Sequence, residues 1–262
     1  MPRRVIIHAS FHKTGTSTIQ ATLRENRVAM KRHVALRMRW HMKDLVAATR
    51  GYSTWRDPLT MIKVQHRFGV MLNELPGMPR RTLIISSEEL AGHLPGRDDI
   101  TDYSAAPVLL YAFWEIAKER FPSAEICIYL STRAPEPWLK SAHWEHVKAS
   151  NMTLDFDAFA AKYARAADLD AMVADIASRV PVKVYHKRLE DCADLPLGPA
   201  APLLSLCDLP EDVMAYLTPA APANQRFGDD VLEALLQINR NVHGSDARKA
   251  AKQIILEEAK RA

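Results

Sequence analysis

The stretch Val5-Ile6-Ile7-His8-Ala9-Ser10-Phe11-His12-Lys13-Thr14-Gly15-Thr16-Ser17-Thr18-Ile19-Gln20 decides how the rest of the chain is read. It opens with an apolar run of the length of a buried strand. It then crosses a loop that holds a lysine, a glycine and hydroxyl side chains. From Gly15 it takes helical periodicity, with Ile19, Leu23 and Met30 on one stripe of a helix reaching His33. Strand, loop and helix in direct succession make an anion site. The first N–H groups of a helix have no partner inside it, and the helix dipole adds positive potential there. Gly15 lets the backbone approach an oxyanion. Thr14, Thr16, Ser17 and Thr18 offer hydroxyl donors, and Lys13 supplies a point charge. A strand–turn–helix with a surface lysine is the bland alternative, and the register of all three features argues against it.

Working outward, three more apolar runs read as buried parallel strands: Thr82–Ser86, 125–131 and 182–185. Each is flanked by helical periodicity and not by hairpin turns. Asp57-Pro58 has the form of an N-cap followed by proline at the first helical position, opening a helix to about residue 75. Further helices are expected over 107–120, Pro135–Ala149, 229–242 and 246–260, and Phe156, Phe159 and Tyr163 share one helical stripe. Such a stripe more often belongs to a core than to a binding site. The alternation of strand and helix predicts an α/β fold of three layers, with a mostly parallel central sheet flanked by helices. The Pro/Ala-rich segment 195–203 reads as a loop and not a linker, so residues 1–262 form a single domain.

A second motif follows the 125–131 run: Ser131-Thr-Arg133-Ala-Pro135-Glu-Pro-Trp-Leu-Lys-Ser141. An arginine at the carboxyl end of a strand sits where open α/β sheets bind ligands. Its guanidinium suits bidentate contact with a phosphate. Ser141 lies two turns into the proline-opened helix and can face the same crevice. Taken alone, this spacing is equally that of a capped surface helix.

The order of residues in the first motif is not that of the nucleotide-triphosphatase loop, G-x-x-x-x-G-K-[ST]: Lys13 precedes Gly15, and Ser10 stands where the upstream glycine would be. The segment His12-Lys-Thr-Gly-Thr-Ser-Thr-Ile-Gln20 instead resembles the 5′-phosphosulfate loop of sulfotransferases, above all bacterial ones, with Ser10 departing from a common glycine. Arg133, Pro135 and Ser141 are similar to that family's 3′-phosphate motif. The resemblance covers about the first 150 residues well and the rest loosely. It implies a fold like that of P-loop nucleotide hydrolases, 3′-phosphoadenosine 5′-phosphosulfate (PAPS) as co-substrate, and no metal requirement. Lys13 and residues 14–18 would hold the 5′ end, and Arg133 and Ser141 the 3′-phosphate. Helical segments within 34–80 and 150–180 would cover the acceptor side. Transfer would go to a hydroxyl or amine of a small molecule or glycan.

The base is left open between two candidates. Glu88, with Glu89 beside it, follows the Thr82–Ser86 run, where the family often places its base. Ser87 could equally cap a helix that starts at Glu88, with both acids favouring the dipole. His41, in Trp40-His-Met-Lys-Asp, resembles a histidine near the acceptor in bacterial sulfotransferases and titrates near neutrality. His143 and His146 read as surface or acceptor-side residues. Asn224 resembles an asparagine that relatives carry near the cofactor, and Arg226 is a weaker phosphate contact.

Composition bounds these readings. The chain has 262 residues, 48% hydrophobic and 25% charged, which excludes disordered, collagenous and coiled-coil classes. Its three cysteines fit no disulfide framework or zinc knuckle. With no apolar run long enough for a signal peptide or membrane span, a cytoplasmic location is expected. The net charge is +4, but nine basic residues crowd 24–56 (Arg24, Arg27, Lys31, Arg32, Arg37, Arg39, Lys43, Arg50, Arg56) against Glu25 and Asp44. That cluster favours an anionic ligand, or is a solvated helix face. Its aromatics form no stacking pattern, so nucleic acid is not expected. A magnesium-dependent P-loop kinase and an inactive anion-binding module remain as alternatives.

Overall fold

The computed structural model describes residues 1–221 and 227–261. Its elements run β1 (Arg4–His8), α1 (Thr16–Glu25), α2 (Arg27–Met30), β2 (Val34–Met38), α3 (Lys43–Trp55), α4 (Pro58–Asn73), β3 (Thr82–Ser86), α5 (Ala106–Arg120), β4 (Glu125–Thr132), α6 (Pro135–Ala149), α7 (Phe156–Tyr163), α8 (Leu169–Arg179), β5 (Lys183–Arg188), α9 (Ala201–Leu204), α10 (Glu211–Ala215), α11 (Asp229–Asn241) and α12 (Ser245–Arg261).

The sheet has the order β2-β3-β1-β4-β5, and every neighbouring pair is parallel. β1 is central because its side chains are buried on both faces. Val5 and Ile7 join one core with Leu83, Ile85, Ile128 and Leu130, covered by α3 to α8. Ile6 joins the other with Ile84, Cys127 and Tyr129, under Ile19 and Leu23 of α1 and Leu203 and Leu204 of α9. These are the three expected layers. The strand order reverses at β1, between β3 and β4. That switch point, at the carboxyl edge of the sheet, is where open α/β sheets leave a crevice.

Three elements differ from the sequence reading. The segment 195–203, read as a loop, is partly helical, through a 3-10 turn at Gly198–Ala200 and α9, because Leu197, Ala200 and Leu203 pack against Ile19 and Leu23 of α1. The first helix stops at Glu25, where Asn26 ends it; Asn26 Nδ2 donates to the Thr22 and Thr218 carbonyls, both at 2.8 Å. The chain then returns through β2, an edge strand that was expected to be part of the basic segment. The last strand runs to Arg188 and not Tyr185, because at the sheet's other edge its polar side chains can alternate toward solvent. The Asp57 cap stands as expected: its carboxylate accepts from Thr60 N at 3.0 Å, with Pro58 opening α4.

All three cysteines are free and buried. Burial pushes the Cys127 and Cys207 thiols each up to about 12 and raises Cys192. No helix among the described residues is long and apolar enough to cross a membrane.

Candidate functional site

The loop after β1 is held from below and behind. Ser10 is fully buried, and its Oγ accepts from Ser131 N of β4 at 2.8 Å. The serine at the position usual for glycine is therefore a tie to the neighbouring strand. Trp138 Nε1 donates to the His12 carbonyl at 2.9 Å, and His12 N donates to Tyr103 Oη at 3.1 Å. Lys13 (φ 66°) and Gly15 (φ 89°) both adopt left-handed backbone on either side of Thr14. Changes of hand of this kind gather successive N–H groups into a concave anion nest.

Thr14 does not serve as expected from the sequence. Its side chain is buried, its Oγ1 donates to the Phe11 carbonyl at 2.6 Å, and it shares a hydrogen bond with Ser131 Oγ at 2.7 Å. The hydroxyl staples the loop to β4, and only the backbone of Thr14 is left for a ligand.

A cavity of about 610 Å³ opens at this edge of the sheet. Lys13, Gly15, Thr16, Ser17 and Thr18 line it from the loop and the start of α1. Glu88 and Glu89 enter from beyond β3, Arg133 from the end of β4, and Ser141 from α6. The two sequence motifs, 120 residues apart, also touch directly: an Arg133 guanidinium nitrogen donates to the Lys13 carbonyl at 3.1 Å. Arg133 Nε lies 3.7 Å from Glu190.

Glu88 and Glu89 follow β3 in a short 3-10 turn (Glu88–Ala91), and their environments differ. Ser87 does not cap that turn; its Oγ donates instead to Glu89 Oε2 at 2.7 Å. Glu89 Oε1 takes Arg50 and, at 3.3 Å, Arg39. Burial would raise the Glu89 carboxyl, but the Ser87 hydroxyl and the two arginines are among the groups that outweigh it and hold it low. Glu88 Oε2 accepts from Gln20 Nε2 at 3.2 Å. Burial first, then the Glu89 charge, push its pKa up. Of the two, Glu89 is committed to the arginines, and Glu88 is the carboxylate whose pKa is raised.

The cavity also takes Arg39 and Arg50 from the basic cluster and His12 from the first motif, and it holds residues that the sequence did not single out: Arg97, Glu145, Lys148 and His93. Burial lowers His12 to about 3 and His93 to about 4. Both are therefore neutral near pH 7. Helix α6, which carries Ser141, Glu145 and Lys148, is anchored at its carboxyl end by Lys252 of α12, whose Nζ donates to the Val147 and Ser150 carbonyls at 2.6 and 2.5 Å.

Other expected residues lie elsewhere. His41 is not brought to Lys13. It lines a separate groove of about 430 Å³ along β2, with Arg24, Arg27, Lys31, Arg37 and Arg81. The turn Arg39–His41 divides the two, sending Arg39 into the main cavity and Trp40 and His41 into the groove. His143 and His146 are not surface residues: both are buried and hydrogen-bond to backbone carbonyls, of Leu154 at 2.8 Å and Pro95 at 2.7 Å. Phe159 and Tyr163 are core residues. Of the two segments expected to cover the acceptor side, 34–80 supplies Arg39 and Arg50, while no residue of 150–180 lines the cavity. Asn224 and Arg226 lie outside the described residues.

No family model matches the sequence, and no curated protein matches it. Among solved structures, the chain is similar to a sulfotransferase from Alicyclobacillus acidocaldarius, at 16% identity and a TM-score of 0.47, over 100% of this chain and 99% of that one.

Proposed function

We propose that this protein is a sulfotransferase that takes PAPS as donor and a hydroxyl or amine of a small molecule or glycan as acceptor. The observation that carries this reading is the meeting, in one cavity, of the Lys13 loop, the Arg133–Ser141 pair and Glu88. The donor set fits a nucleotide with two separate anionic ends. One end meets a backbone nest, hydroxyls and an ammonium, and the other a guanidinium and a hydroxyl.

The bound donor supplies an activated sulfuryl group. The chain's own residues do the rest. Glu88, raised by burial, accepts the acceptor's proton as the acceptor oxygen or nitrogen bonds to sulfur. Lys13 and the N–H groups of the loop stabilise the charge that collects on the departing phosphate oxygen. Arg133 and Ser141 select for a 3′-phosphate, and little covalent work falls to the protein.

The deciding measurement is calorimetry of adenosine 3′,5′-bisphosphate without metal, beside ATP with magnesium, on wild type, Lys13→Ala and Arg133→Ala. Metal-free binding of the bisphosphate, weakened in both variants, is expected. Preference for magnesium–ATP would make the protein a kinase, and binding of neither would leave an anion-binding module.

A further inference from the structure

The cavity's charges pair off unevenly. Lys13 and Lys148 share Glu145, at 3.1 and 3.2 Å, while Arg39 and Arg50 share Glu89. Arg97 has no carboxylate within 4.0 Å among the described residues; its guanidinium donates to the Ala149 carbonyl at 3.3 Å. Six cations line the cavity; among the described residues five have a carboxylate within 4.0 Å, and Arg97 does not. Burial holds Arg97 below its ordinary pKa, against the attraction of Glu145 and Asp98 and with a smaller repulsion from Arg50. Like charges gathered in a partly enclosed wall repel, and an anion placed between them removes the repulsion.

The donor does not account for this excess. Its two anionic ends engage the Lys13 loop and the Arg133–Ser141 pair, which belong to β1, α1, β4 and α6. Arg50 and Arg97 belong to α3 and to the segment that follows Glu88 and Glu89. They line the same cavity as Glu88, and neither belongs to the Lys13 loop or to the Arg133–Ser141 pair.

We propose that the acceptor carries an anionic group of its own, a carboxylate or a sulfate ester, and that Arg97 with Arg50 receives it. This deepens the sulfotransferase reading and rests on it. Guanidinium groups suit both anions, since each offers two coplanar oxygens to a forked donor. With the anion fixed there, the acceptor hydroxyl is directed to Glu88. A neutral acceptor leaves Arg97 without an anionic partner and gains no such orientation.

The test is titration of glucuronate, glucose 6-sulfate and glucose into wild type, Arg97→Gln and Arg97→Lys, each with and without saturating adenosine 3′,5′-bisphosphate, with thermal melts alongside. At least one anionic sugar is expected to bind tenfold or more tightly than glucose. Arg97→Gln should cut that preference at least fivefold, and Arg97→Lys, which keeps the charge and loses the fork, should fall between wild type and Arg97→Gln. Anionic sugars that bind no better than glucose, or not at all, overturn the proposal on wild type alone. A preference that survives Arg97→Gln in a folded variant also overturns it. Failure of the bisphosphate to bind is a separate outcome and sinks the sulfotransferase reading instead.

Discussion

Lys13 Nζ lies 3.1 Å from Glu145 Oε2, so the ammonium of the loop after β1 is already bound across the cavity to α6. Burial pushes the Glu145 carboxyl up, but Lys13 and Lys148 outweigh it and hold it below the ordinary carboxylate range. A phosphate that takes Lys13 away leaves Glu145 buried with one partner fewer. Its pKa then rises, and ligand binding draws in a proton. Calorimetry in buffers of different ionisation enthalpy should show more proton uptake by wild type than by Glu145→Gln on binding adenosine 3′,5′-bisphosphate, at acid pH where the freed Glu145 carboxyl titrates. Glu145→Gln should also tighten binding by about two- to fivefold, the scale of a partly exposed ion pair.

Glu88→Gln should lower turnover by about 10²- to 10⁴-fold, the range for loss of a positioned base, and leave bisphosphate affinity nearly unchanged. In wild type the rate should rise with pH through an acid limb lying above the ordinary glutamate value, because Glu88 must be ionised to act. The same shift has a stability sign. A carboxyl whose folded pKa is raised binds its proton more tightly in the fold, so its contribution is lost as pH rises through that value. The neutral glutamine should therefore raise the melting temperature at pH 8 and not at pH 4. His41→Ala, in the separate groove, should leave turnover within about twofold by the same scale of base effects.

Arg133→Ala should weaken adenosine 3′,5′-bisphosphate by roughly 10- to 100-fold, the scale of charge-assisted hydrogen bonds. Adenosine 5′-phosphate should weaken by only about threefold, through the lost bond to the Lys13 carbonyl. Equal losses for both nucleotides would place Arg133 in loop support and not in 3′-phosphate recognition.

Gly15→Ala puts a Cβ 2.7 Å from Leu189 Cδ1 on a residue with φ 89°. The leucine end can rotate away, but the left-handed backbone cannot be relieved, at a cost of about 1–2 kcal/mol. A fall in melting temperature of about 2–8 °C is expected. Adding Leu189→Ala should recover the steric part and leave the rest, which differential scanning calorimetry would separate.

The first strand, loop and helix were legible because an unbroken apolar run meets lysine, glycine and hydroxyls at fixed offsets, and Arg133 repeats the logic one strand further on. β2 was not legible. Val34–Met38 carries Arg37 inside a run of basic residues, and an edge strand needs only one well-buried face. The cluster over 24–56 looked like one feature, yet β2 and the turn after it send Arg39 and Arg50 to one cavity and Arg24, Arg27, Lys31 and Arg37 to another. Arg97, Glu145 and Lys148 have no local signature, since an isolated charge on a helix or loop gains its role only from what the fold brings beside it. The buried histidines misled for the opposite reason. His143 and His146 look polar in a helix pattern, but each spends its ring nitrogen on a backbone carbonyl and so belongs in the core.

The three buried thiols give the molecule a built-in clock. Alkylating reagents attack the thiolate and need room to reach it, and at Cys127 and Cys207 the fold denies both. Every labelled sulfur therefore marks an opening event. Cys127 sits in β4, Cys192 just past β5, and Cys207 in the layer beneath α1, so mass spectrometry of pulse-labelled chains can time the sheet and its back cover separately. The order in which they react, with and without bisphosphate, would tell whether a filled cavity tightens one layer or the whole.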